Sequence, residues 1–500
     1  MRLLILGLLL FSGNIVNGQT SLQQINLQYG QYNVGFEHYQ LQDVSRTYRM
    51  VNEYNTEVVA RPISVSIWYP SKENATDKNP LKILNYFEVL KQEEEWPHLP
   101  NEHLLNWFYY PNTPDNNNHL VETTKAYKSL NPADKKFPVV VYTPSYQASS
   151  VENFGLCEYL ASHGYVVLAS PSIGTVNRWF SNNNAKEMET QSRDVEFLLQ
   201  HLLTLSYTDK NRVALAGFSF GGLSNTITQM RNDNIKAVVS LDGTERYQYP
   251  LLQQSPFFAN EQLDVPYIHM AQKDIPENVL QQDKLDKGIN TRFTLYDSIT
   301  NSKAYKIKFH NLTHSHFSTM GVLFQPRDPR QDKSDTKIME SYAKLCKTTL
   351  HFLNAYLMDD KKVLNHLKAI DNDLMSFQSK DPETEAFGFE EFHTLMKRAK
   401  YNNLYTLYTT TKKEHTDLSV PEGALNTLGL KLTFNPGYGQ QGIAVLQFAT
   451  QLYPQSSNLY DSLAEAYLYL GDKKNARINF KKSLELNAAN QNAINRLKQL

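Results

Sequence analysis

Short alternating apolar and polar runs fill residues 19 to about 70 and close in Ile63-Ser64-Val65-Ser66-Ile67-Trp68-Tyr69-Pro70. Alternation stopped by a proline predicts an edge-type strand that leads into a loop. From about residue 81 to 133 the pattern breaks. A charged helical stretch, Val89 to Glu95, is followed by Pro- and Asn-rich segments and an aromatic knot, Trp107-Phe108-Tyr109-Tyr110. This is the pattern of an insertion rather than of a regular sheet. An aromatic group of this kind, with Trp96, fits either a lid over an apolar acyl pocket or a cluster that packs the insertion onto its domain.

Strand and helix signals alternate beyond the insertion. Phe137 to Thr143 is a short apolar, β-branched run of the kind that forms a buried parallel strand. Residues 151–163 predict a helix ended by Gly164. Strands follow at 165–169, 212–216, 237–241 and 265–271, with helices at 187–205 and 221–230, and a last helix spans 338–357. Such alternation predicts an α/β fold with a doubly wound, mostly parallel sheet.

Strand signals then stop. Residues 359–388 are charged and proline-bearing and are expected to act as a linker; 389–500 are expected to be an all-α domain. Gly442, Leu446, Ala449 and Pro454 recur 34 residues later as Ala476, Phe480, Ser483 and Ala488. That period, with Leu463-Ala464, Tyr467 and Gly471 between, resembles tetratricopeptide repeats over about 424–500: roughly two units and a closing helix. Repeats of this type imply a protein partner as one role for the domain.

Composition narrows the classes. Five hundred residues are enough for two domains with an insertion, expected here at 19–358 and 389–500. Lys plus Arg (50) nearly cancel Asp plus Glu (51), so nothing in the charge calls for a nucleic-acid partner. Arg2 followed by the apolar run Leu3 to Phe11 reads as a signal peptide cleaved near Gly18, which implies export to a periplasmic or extracellular space. No later run is long enough to span a bilayer. Cys157 and Cys346 could pair or stay as buried thiols, and no metal-ligand spacing occurs. Asn74-Ala75-Thr76 and Asn311-Leu312-Thr313 match the glycosylation acceptor pattern.

The segment richest in chemistry is Gly217-Phe218-Ser219-Phe220-Gly221-Gly222, a G-x-S-x-G pattern between a predicted strand and a predicted helix. Its glycines permit the sharp turn that lifts a serine hydroxyl clear of the backbone, and the helix that follows aims N–H groups at developing negative charge. Ser219 is the candidate nucleophile. The acid and histidine should follow in that order. Asp242 and Asp274 each follow a strand. His310, His314 and His316 lie ahead of the last helix, with His310 at the end of a strand-like run (304–309) and so the least suited to a loop-tip role.

Residues from about 28 to 357 resemble the platelet-activating-factor acetylhydrolase and dienelactone-hydrolase-like branch of the α/β-hydrolases. The similar features are Ile67-Trp68-Tyr69-Pro70, Phe137 to Val141, Leu160-Ala161-Ser162-His163-Gly164-Tyr165 and Gly217 to Gly222. The resemblance implies Asp242 as acid and His314 as base, because that acetylhydrolase pattern has a Phe three places after its histidine, as Phe317 is here. A related pattern, with Phe directly after the histidine, would select His316. It also implies oxyanion donors at the backbone N–H groups of Phe220 and Tyr146. One departure stands out: Pro144-Ser145 occupies the place of the family's His-Gly, and a proline has no N–H to donate. The expected activity is cofactor-free cleavage of a small-molecule or lipid-like carboxylic ester. The alternatives are an amidase or peptidase with the same triad, or an inactive body serving as a repeat-bearing scaffold.

Overall fold

The computed structural model describes residues 20–500 apart from 52–55, 283, 325–331, 369–372, 383–386 and 417; the expected signal segment, 1–18, lies outside the described residues. Among the described residues, no helix is long and apolar enough to cross a membrane.

One mixed sheet organises the first part of the chain. Its ten described strands are β1 (Asn33–Val51), β2 (Thr56–Ser71), β3 (Ala126–Lys128), β4 (Phe137–Thr143), β5 (Val166–Ala169), β6 (Thr208–Phe218), β7 (Ile235–Leu241), β8 (Tyr267–Ala271), β9 (Ala304–Phe309) and β10 (Met375–Lys380). They lie in the order β10-β9-β8-β7-β6-β4-β5-β2-β1-β3. From β5 across to β9 every pairing is parallel, while β2, β1 and β10 join antiparallel. The central strands are buried on both faces, which explains their unbroken apolar runs. In β4, Val140 and Tyr142 enter one core, and Val139 and Val141 enter the core on the opposite face.

The principal helices are α1 (Ile83–Glu93), α2 (Phe154–Ser162), α3 (Ala185–His201), α4 (Phe220–Met230) and α5 (Asp335–Leu357). Side chains of α2 and α5 fill one core; those of α3 and α4 fill the other. Cys157 and Cys346 are separate, buried thiols. Asn311 is buried and bonds Ser341 through its amide, so of the two acceptor patterns only Asn74 offers an exposed side chain.

The insertion does two things with its aromatic residues. Phe108 and Tyr110 pack inward beside Phe87, whereas Trp96 and Trp107 contact each other at the surface and Tyr109 is 91% exposed. The stretch expected to be a linker also departs from expectation, because it carries β10, which pairs with the whole of β9. Its signal is faint: in six residues only Met375 and Phe377 pack inward, amid charged flanks.

All-helical structure follows: α6 (Phe389–Arg398), α7 (Leu404–Glu414), α8 (Glu422–Phe434), α9 (Gly439–Leu452), α10 (Ser457–Tyr469), α11 (Lys473–Leu486) and α12 (Gln491–Gln499). Helices α9 and α11 begin 34 residues apart, at Gly439 and Lys473. The recurring small residues sit where helices touch. A Cβ on Gly442 would fall 2.3 Å from the Thr433 hydroxyl, and one on Gly429 would fall 2.4 Å from Leu446. These helices are joined to the sheet domain by a continuous core, in which Leu430, Phe434, Leu446 and Leu463 pack with residues of α3 and α4.

Candidate active site

Ser219 stands between β6 and α4 with φ 54° and ψ −118°, outside the regions open to ordinary L-residues. The turn is possible only because its neighbours lack side chains. A Cβ on Gly217 would lie 2.4 Å from the Gly221 carbonyl carbon, and one on Gly221 would lie 2.1 Å from the Thr143 oxygen. Three backbone bonds hold the strained residue: its N–H donates to Leu241 O (3.1 Å), and its carbonyl accepts from Thr244 N (2.8 Å) and Gly222 N (3.0 Å).

His314 comes from a short turn, His314–Phe317, after β9. Its Nε2 lies 2.9 Å from Ser219 Oγ, and its Nδ1 lies 2.6 Å from Asp242 Oδ2. This arrangement fits the tautomer with a proton on Nδ1, so that Ser219 O–H donates to Nε2. Asp242, at the end of β7, is buried and accepts two further donors: Tyr247 O–H, shared between both oxygens (2.8 and 2.9 Å), and Gln272 N–H at Oδ1 (3.0 Å). Burial pushes the Asp242 carboxyl up. The hydrogen bond and charge of His314, then Arg246 and the Gln272 N–H, outweigh that push and hold it below the usual carboxylate range.

The other candidates are placed elsewhere. Asp274 is largely exposed and pairs with Lys308 at 2.6 Å. His316 is buried, with Nδ1 3.0 Å from the Thr313 hydroxyl, where it helps close the turn. The backbone N–H of His310 donates to Leu374 O, beside β10. Phe317 is buried beneath the turn against Phe309.

Phe220 is the first residue of α4, so its N–H precedes the first intrahelical bond and is free to face a ligand. Tyr146 lies in the loop after β4. The rings of Tyr146, Phe220 and Phe180 meet edge to face at 4.5–5.8 Å between centroids, which places the two expected donor residues side by side.

Two supporting residues carried no sequence signal of their own. Gln272 accepts the His314 N–H at Oε1 (3.1 Å), and its amide donates to the Tyr247 hydroxyl (2.8 Å). With Tyr247 it forms a polar bracket around Asp242 and His314. Gln272 stands just after β8, the position from which Asp274 drew attention, and a glutamine there has no distinguishing spacing.

No curated protein matches the chain. Among solved structures, a ferulic acid esterase from Streptomyces cinnamoneus is similar over 69% of this chain and 96% of its own, at 16% identity and a TM-score of 0.48. The model of the dienelactone hydrolase family matches residues 125–319, a span that runs from β3 through the turn bearing His314. That match covers the central, parallel part of the sheet and the serine turn between β6 and α4, so this region of the chain is similar to the dienelactone hydrolase family.

Proposed function

We propose that the chain is a serine hydrolase that cleaves carboxylic esters through an acyl-enzyme on Ser219. The observation that carries this reading is the unbroken run from Ser219 Oγ through His314 to Asp242, with contacts of 2.9 and 2.6 Å. His314 Nε2 removes the hydroxyl proton as Oγ attacks the ester carbonyl. The oxyanion forms between the N–H groups of Phe220 and Tyr146, a reading supported by the contact of their rings at 5.8 Å. His314 then returns the proton to the departing alcohol. Water, deprotonated by the same nitrogen, releases the acid and restores the serine. Asp242 keeps the imidazole in the required tautomer and stabilises its cationic form, without itself taking the proton.

The dienelactone hydrolase match supports an ester as substrate, and a small acyl or lipid-like ester is the class we infer. The export of a mature chain starting near Gln19, the division into a body (19–358) and a helical domain (389–500), and a protein-binding role for tetratricopeptide-like repeats over 424–500 belong to the same proposal. The 34-residue spacing of α9 and α11 supports the last of these.

Labelling with a fluorophosphonate tests the central claim, since only an activated serine reacts. The full chain should label at one residue and Ser219→Ala should not. A folded Ser219→Ala protein that labels as fast as the parent would remove Ser219 from the mechanism.

A further inference from the structure

The loop that carries Tyr146 lacks the family's His-Gly, yet charged side chains anchor three of its backbone groups: Ser145 N–H, the Gln147 carbonyl and Ser150 N–H. On one side, Glu152 takes both donors of Ser145: the backbone N–H at Oε2 (2.9 Å) and the hydroxyl at Oε1 (2.6 Å). On the other side, Gln147 is in the left-handed region (φ 52°), and its carbonyl accepts from Arg178 (3.3 Å), which is itself paired with Glu94. Further along, the hydroxyls of Ser149 and Ser150 donate to Glu93, and Ser150 N–H donates to the same carboxylate at 3.1 Å. Glu93 and Glu94 come from the end of α1, within the insertion. Tyr146 is therefore flanked by Ser145 and Gln147, both of which are held.

The same short segment also holds the histidine turn. Glu152 O accepts from Met320 N (3.2 Å). Asn153 donates to Phe317 O (3.0 Å) and accepts from Thr319 N (2.9 Å). Residues 152–153 thus tie the Tyr146 loop to the turn that begins at His314.

We propose that Glu152 is a positioning residue for catalysis, aided by Glu93 from the insertion: by holding the Ser145 backbone N–H and hydroxyl it fixes Ser145, and so orients the next peptide, which carries the Tyr146 N–H, toward the oxyanion. This inference rests on the hydrolase reading above. The carboxylate replaces, by bonding, the loop shape that a glycine supplies by freedom of φ. The insertion is accordingly part of the active-site scaffold and not only a cover. Burial pushes the Glu152 carboxyl up to about 7, against the opposing pull of Ser145 and His314.

The test compares the full chain with Glu152→Gln and Ser145→Ala, using p-nitrophenyl acetate hydrolysis and amide hydrogen exchange. An amide has a single accepting atom, so it cannot hold the two Ser145 donors on separate oxygens as the carboxylate does. Because removing an oxyanion donor outright costs about 10²–10³ in kcat, a donor left unfixed should cost roughly 10–100-fold, with KM moving less than about threefold. Exchange at residues 145–148 should quicken while β6 and β7 stay protected. Unchanged kcat together with unchanged exchange overturns the proposal. If Glu152→Gln does not fold, Ser145→Ala decides: a loss of about threefold or more in kcat with faster exchange supports the clamp, and no change in either refutes it. A parent chain that neither labels nor hydrolyses would sink the hydrolase reading. The proposed catalytic role of Glu152 would fall with it, while the exchange data would still report whether the carboxylate holds the loop.

Discussion

The two ends of α4 are built on opposite principles. At its start, Ser219 is held in a strained conformation and the helix N-terminus has N–H groups outside the intrahelical ladder, which we propose face the reacting oxygen. At its far end, Arg231 is fully buried, with every nitrogen of its guanidinium engaged: Nε and NH2 with Glu196 at 2.7 and 3.0 Å, NH1 with Glu189 at 2.6 Å. The rings of Phe257 and Phe434 lie against the same guanidinium. Phe434 comes from α8, and α8 also brings the buried Lys431 to Asp233 at 3.0 Å. One end leaves polar groups open and stores strain; the other satisfies its charges and joins two parts of the chain. Changes at the first should alter rate without much loss of stability, and changes at the second should do the reverse.

The sharpest break in that comparison would come from the serine itself. Ser219→Ala and His314→Ala should each lower ester hydrolysis by roughly 10⁴-fold or more while leaving thermal unfolding within a few degrees of the parent. His316→Ala should lose only part of the rate, since His316 closes the turn from inside. An inactive His316→Ala beside a nearly normal His314→Ala would move the base. Asp242→Asn should approach the same loss, on the order of 10⁴, through the wrong imidazole tautomer. Asp274→Asn should stay within about twofold, because Asp274 meets only Lys308 at the surface. Equal losses in the two variants would show that the acid has been misplaced.

At the other end of α4, Arg231→Met removes the buried cation shared by Glu189 and Glu196 and leaves Glu196 with Asn232 and the more distant Arg193. Breaking a buried pair from one side costs about 3–5 kcal/mol. Urea unfolding should show a loss of that size, with kcat for the folded protein within about twofold. A stable variant with a large fall in kcat would show that the two ends communicate.

A smaller effect should come from Glu158 in α2, a buried carboxyl whose donors are Tyr86 O–H (2.7 Å) and Lys125 N–H (3.0 Å). No cation compensates it in these bonds, in contrast to the glutamates around Arg231. Burial pushes it up to about 7, above the ordinary 4.5. Between these values the folded chain holds a proton that the unfolded chain has lost, so stability falls as pH rises from about 4.5 to about 7. The size is on the order of 3 kcal/mol. Glu158→Gln should flatten this fall in a series of urea titrations; an unchanged pH slope would mean that the carboxyl is not the cause.

The two ends were not equally legible in the sequence. Strand β4 is a continuous apolar run, β9 alternates Tyr305, Ile307 and Phe309 with Lys306 and Lys308, and the serine turn announces itself because glycine is required at fixed places around it. Asp242 and His314 followed from spacing and resemblance, and folding brings both within hydrogen-bond reach of their partners. Tyr247, Gln272 and Glu152 were invisible because their importance depends on what faces them across the fold, and Tyr, Gln and Glu are common residues with no spacing to mark them. The socket around Arg231 was hidden for the same reason. It joins Glu189 and Glu196 of α3 to Phe434 of α8, more than two hundred residues away. Local patterns report on neighbours in sequence, and these contacts are not neighbours.

Strand β10 also decides where the chain can be cut. Without it β9 would be an open margin of the sheet, offering a row of unpaired N–H and C=O groups beside the apolar Ile307 and Phe309, and such margins recruit strands from other molecules. With it, the outermost strand is only six residues long and carries Ser376, Gln378, Ser379 and Lys380. A fragment ended after α5, at Leu357, would keep every residue of the proposed triad and still be prone to self-association. Extension to Lys380 closes that margin, but it still bares the faces of α3 and α4 that pack against Leu430, Phe434, Leu446 and Leu463.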